Sequence, residues 1–131
     1  MMPRFLTELD AGLKVNSDTV WLIDKPLIYE SGIVGLIEVP AGFETDFASV
    51  PRVPLFYTLF GDRAHREAVL HDYLFRKDSS PQASFMEANR IFLEAMEERG
   101  KSFFVRYGMF MGVCMGGYFS YHKKNVNDKI D

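Results

Sequence analysis

The sequence predicts an α+β fold in which short antiparallel strands in hairpins come first and three helices follow. Three observations predict it. β-branched and aromatic residues, flanked by Gly, Pro, Asn, Asp and Ser, mark the first third of the chain. Stretches with helical periodicity follow, one of them, Arg63 to Lys77, free of Gly and Pro. The 131 residues, 47% hydrophobic and 15% aromatic, suffice to bury roughly two-thirds of the surface an unfolded chain exposes. One domain over residues 1–131 is expected: a β-rich part and loop over 1–54, a helical part over 63–121 and a polar tail over 122–131.

Thr19 to Ile23 and Ile33 to Val39 read as the strands. Val39-Pro40-Ala41-Gly42-Phe43 reads as a strand entering a tight turn, because Pro removes a ladder donor and Gly permits positive φ. A loop is expected from Glu44 to about Pro54. Arg63 to Lys77 has apolar residues almost all round, which marks a buried, central helix. Ser80 as cap and Pro81 at the first helical position start a second helix, and Gly100 stops it after Arg99. Its apolar stripe is Phe85, Ala88, Phe92, Ala95 and Met96, with Arg90, Glu94, Glu97, Glu98 and Arg99 mostly on a solvated face. A third helix, from about Ser102 to Tyr121, ends against His122, Lys123 and Lys124, a basic run suited to a helix C-terminus.

Charge and cysteine content exclude several function classes. A net charge of −3 provides no broad basic field for neutralising phosphates, so nucleic acid is not an expected partner. Cys114 is the only cysteine, which rules out an internal disulfide and a paired-cysteine zinc site. Glu8 and Asp10 interrupt the apolar start that a signal peptide needs, so none is expected.

Two polar residues fall on apolar faces. At about 100° per residue, His71 lies between Ala64, Ala68 and Phe75 on the first helix, and Asn89 lies among Phe85, Phe92 and Met96 on the second. Burying either without a partner costs roughly 1–3 kcal/mol, so the two helices are predicted to pack with His71 facing Asn89. Asp72 points about 100° away from His71. The pair therefore has two readings: a base beside a group that holds a cation or water, or a satisfied core histidine that fixes helix register. Asp46, with Glu44, Thr45, Ser49 and Arg52, forms a dense polar group in a loop, where binding residues gather. The same residues also suit a plain turn network of side chain to backbone bonds. His65 and His122 are expected at the surface, and the His65 to His71 spacing is not that of a zinc-protease helix.

Three segments carry a resemblance. Pro40-Ala41-Gly42-Phe43-Glu44-Thr45-Asp46-Phe47-Ala48-Ser49-Val50-Pro51-Arg52, Ala68-Val69-Leu70-His71-Asp72-Tyr73-Leu74-Phe75 and Ala88-Asn89-Arg90-Ile91-Phe92-Leu93-Glu94-Ala95-Met96 closely resemble an uncharacterised phage and prophage family, domain of unknown function 1353. The resemblance implies phage origin and brings no established activity. More loosely, His71-Asp72-Tyr73-Leu74-Phe75 looks like the His-Asp helix of phospholipase A2 enzymes. That likeness implies His71 as general base, Asp72 as a calcium ligand with Asp46 and loop carbonyls nearby, and Asn89 as the residue orienting the histidine. Phe75 stands where those enzymes have tyrosine, and Asn89 where they have aspartate. The glycine-rich calcium loop is missing.

Gly108, Gly112 and Gly116 recur every four residues within an uncharged run from Tyr107 to Tyr121, a pattern that lets helix backbones approach closely. The run, about 15 residues, is short of the roughly 20 needed to span a bilayer. It predicts packing on the core or on a second copy of the chain, and peripheral membrane contact through Met109, Phe110, Met111, Met115, Tyr118 and Phe119 is the other use of such a surface. The expected role is that of a phage accessory or virion-associated protein in tail or particle assembly or at the host envelope, in the host cytoplasm or virion, with phage or host proteins as partners. A divergent calcium-dependent hydrolase and an inhibitor of a host protein are the alternatives.

Overall fold

The structure, a computed structural model, describes residues 3–15, 20–45 and 65–98, together with residues 107, 110, 111, 114, 121, 125, 126 and 129. Among them are strands β1 (Arg4–Phe5), β2 (Ala11–Leu13), β3 (Trp21–Ile23), β4 (Leu27–Ser31), β5 (Gly35–Val39) and β6 (Glu44–Thr45), and helices α1 (His65–Leu74) and α2 (Phe85–Glu98). The α+β class is as expected. The strands form two antiparallel sheets, in the orders β1-β4-β5 and β2-β3-β6.

The hairpin of β4 and β5 follows the two-residue period of a half-buried sheet. Leu27, Tyr29 and Ser31 are buried and alternate with half-buried Ile28 and Glu30. The register sets Leu27 opposite Val39 and Tyr29 opposite Ile37, so four buried side chains share one face. After β5 the chain turns at Gly42, whose φ of 89° is a left-handed conformation that suits glycine. The Gly42 amide donates to the Ile23 carbonyl (2.7 Å) and the Phe43 amide to the Pro40 carbonyl (3.2 Å). That turn sends the Phe43 ring into the core and lays Glu44 and Thr45 beside β3. The first two residues of the loop expected from Glu44 are therefore buried strand instead; the remainder of that expected loop, from Asp46, lies outside the described residues.

From Glu67 to its end α1 is buried at every position, as its all-round apolar pattern predicts. It stops at Leu74 rather than Lys77. The Phe75 amide is shared between the carbonyls of His71 (3.1 Å) and Asp72 (3.2 Å), and the Arg76 amide turns back to Tyr73 (3.0 Å), which tightens the last turn. The start of α2 is also corrected, from Pro81 to Phe85. Ser84 and Glu87 form a capping box: the Ser84 amide donates to Glu87 Oε1 (2.9 Å), and the Glu87 amide donates to Ser84 Oγ (3.1 Å). Ser80 is held instead in the connection, its amide and carbonyl both bonded to the Tyr73 hydroxyl.

Two helices, not three, are found among the described residues. The third expected helix falls mostly outside them, Gly108, Gly112 and Gly116 included, although Tyr107, Phe110, Met111 and Cys114 are helical. Among the described residues no helix is long and apolar enough to cross a membrane.

The core gathers Leu27, Tyr29, Ile37 and Val39 from one sheet, Ile23 and Phe43 from the other, and Val69, Leu70, Tyr73 and Leu74 from α1. Ala88, Ile91 and Ala95 reach it from α2. Val126 joins the same cluster, and its amide donates to Asp78 Oδ1 (2.6 Å). The segment expected to be only a polar tail thus contributes a core residue, one apolar side chain among polar neighbours.

Candidate functional site

The helical period that puts His71 on one buried face of α1 and Asn89 on one buried face of α2 brings the two together. His71 Nε2 lies 2.7 Å from Asn89 Oδ1, and both residues are fully buried. The imidazole packs against Phe75 (ring centroids 4.2 Å apart) from its own helix and Phe92 (5.0 Å) from the other. The Asn89 amide nitrogen donates to Cys114 Sγ at 3.6 Å, so its carbonyl oxygen is the atom that faces the ring. A carbonyl oxygen only accepts, which fixes the proton of the neutral imidazole on Nε2.

Burial pushes the His71 pKa down to about 4 from an ordinary 6.5, against a smaller upward pull from the Asn89 hydrogen bond. The ring is therefore neutral at pH 7. Asn89, which meets Nε2, is an uncharged amide and lacks the carboxylate charge that would stabilise an imidazolium. Burial also raises the Cys114 thiol, opposed by the hydrogen bond from Asn89. The thiol is not activated as a thiolate.

Asp72 is turned aside, as the helical period requires, but it faces a guanidinium. Arg76, one turn further on, donates from Nη2 to Asp72 Oδ2 (3.3 Å) and to the Glu44 carbonyl (2.9 Å), and from Nη1 to the Asn125 carbonyl (3.1 Å). Its cationic carbon stands 4.8 Å from the centroid of the Phe43 ring. A calcium ion would draw on a carboxylate and loop carbonyls of this kind, and here those oxygens already face a buried positive charge. The described residues do not fit calcium at Asp72. Among them no group of three or more His, Cys, Asp or Glu is placed to hold a metal ion.

The loop candidates divide. Glu44 and Thr45 are buried in β6, and the Glu44 carboxylate accepts Lys14 Nζ (2.9 Å) and Lys129 Nζ (3.3 Å). The Glu44 carboxylate thus bridges two lysines, one near the N-terminus and one near the C-terminus of the chain. Asp46, Ser49 and Arg52 lie outside the described residues, as does His122. His65 opens α1.

Two residues that organise the site were missed in the sequence. Arg76 was legible only as a basic residue four positions after Asp72, the spacing of a helical ion pair. Glu94, expected on a solvated face, instead accepts the Tyr29 hydroxyl (2.8 Å), the Ser31 hydroxyl (2.9 Å) and the Gly32 amide (3.1 Å), tying α2 to the β4–β5 hairpin.

Residues 21–113 match the family model described as "Protein of unknown function (DUF1353)", which spans the whole His71 and Asn89 helix pair. Neither the curated proteins nor the solved structures compared with the chain match it.

Proposed function

Because the chain belongs to the DUF1353 family, described as proteins of unknown function, we propose a role from its own site: a phage accessory or virion-associated protein that acts through its surface, with His71 and Asn89 holding its helices in register. The observation that carries this reading is the burial of His71, at 0% exposure, with Nε2 committed to Asn89 and phenyl rings at 4.2 and 5.0 Å. A base that water does not reach has no substrate to act on. The phage part of the reading is supported by the likeness of the three motif segments to a phage and prophage family. Other phage or host proteins are the partners, in tail or particle assembly or at the host envelope.

The hydrolase alternative shares the contact between His71 and Asn89 and is disfavoured by Arg76, whose charge occupies the oxygens its metal would use. Mass spectrometry of gradient-purified particles from a phage that encodes this chain tests the proposal. The chain is expected in the particles in a fixed ratio to the capsid protein. Its presence in infected cells but not in particles would remove the virion-associated reading, and lipid hydrolysis abolished by His71→Ala in a folded protein would restore the enzyme.

A further inference from the structure

We infer that the Arg76 guanidinium is the resident cation of the Asp72 centre, so that this chain neutralises with its own side chain the position where a divalent ion would bind. Three acceptors from three parts of the chain converge on it: Asp72 Oδ2 from α1, the Glu44 carbonyl from β6 and the Asn125 carbonyl from the C-terminal segment, at 3.3, 2.9 and 3.1 Å. A carboxylate and two backbone carbonyls are a hard oxygen set, the kind calcium selects. A guanidinium meets the same set with five fixed N–H donors and a delocalised positive charge.

Arg76 is only 3% exposed, and the face of Phe43 closes over it. Burial strengthens its hold on the oxygens and keeps a second cation out, because two like charges at this distance repel strongly where water does not screen them. The geometry also explains why arginine serves here. A lysine ammonium would offer its donors from one atom, whereas Arg76 meets Asp72 and Glu44 through Nη2 and Asn125 through Nη1. The C-terminal segment is seated by the same centre: Asn125 accepts from Arg76, Val126 enters the core, and Lys129 reaches the Glu44 carboxylate. Arg76 thus joins three stretches of chain that are distant in sequence. This holds independently of where the chain acts.

Thermal unfolding of the full chain tests it, using the wild type, Arg76→Lys, Asp72→Asn and the double variant, each in millimolar calcium chloride and in chelator. The wild-type midpoint is expected to be the same in both solutions. Each single variant is expected to lower the midpoint by several degrees, with the double variant falling clearly less than the sum of the two, because both remove one shared interaction. A calcium-dependent rise of the wild-type midpoint that Asp72→Asn abolishes would overturn the inference, as would full additivity. Should Arg76→Lys fail to fold, the wild-type comparison in calcium and chelator still decides.

Discussion

His71 on α1 and Asn89 on α2 meet at 2.7 Å although 18 residues separate them, and each satisfies the hydrogen-bonding group that the other buries. The contact joins the two helices at the centre of the fold. It also commits the His71 imidazole to packing, since its Nε2 proton is held by Asn89 and burial disfavours its charged form.

The pH dependence of folding follows. Burial holds His71 near pKa 4 in the folded chain, against an ordinary 6.5 in the unfolded one. Between those values the unfolded chain binds the extra proton. The stability that goes with the neutral ring is complete above about pH 6.5 and is lost as pH falls through about 4, by roughly 3 kcal/mol in total. Denaturant unfolding at intervals across this window should show the decline, and His71→Gln should remove that share of it.

Glu94 should behave as a structural carboxylate. Glu94→Ala leaves the Tyr29 and Ser31 hydroxyls and the Gly32 amide without their acceptor, and a loss of about 2–3 kcal/mol is expected. Glu94→Gln keeps an acceptor and should lose less. Urea unfolding of the two variants measures the difference.

The start of α2 gives a smaller effect. Ser84→Ala removes the oxygen that accepts the Glu87 amide, and about 1 kcal/mol is expected. Ser80→Ala, at the position the sequence suggested as the cap, should change little, because Ser80 meets Tyr73 through its backbone. Thermal unfolding of the two separates the assignments.

At the turn after β5, Gly42→Ala places a Cβ on a backbone with φ of 89° while leaving it open space. The strain is conformational rather than steric, and about 1 kcal/mol or more of destabilisation is expected in the same unfolding measurement.

How much of this was legible in the sequence depends on the range of the interaction. The facing of His71 and Asn89 was readable because each helix carries one polar residue in an apolar stripe, and 3.6-residue periodicity fixes which way both point. The buried character of α1 and the positive φ at Gly42 were readable for similar local reasons. β1, with two residues, and β2, with three, are too short to carry a period, and β4 alternates over only five residues. Arg76 and Glu94 were hidden because their partners, Glu44 and Asn125 for one and Tyr29 and Ser31 for the other, come from distant stretches of chain. Charged residues on a helix read as solvated until the sheet that covers them is known.

The most direct test of the His71 and Asn89 clamp is a double-mutant cycle with His71→Leu, Asn89→Leu and the pair, read by urea unfolding at pH 7. Each single change leaves a buried polar group without its partner and should destabilise the fold by about 1–3 kcal/mol, whereas the double change removes both groups together and should recover a large part of that loss. Strict additivity of the two single losses would contradict the account, because it would mean that His71 and Asn89 do not depend on each other for their place in the core.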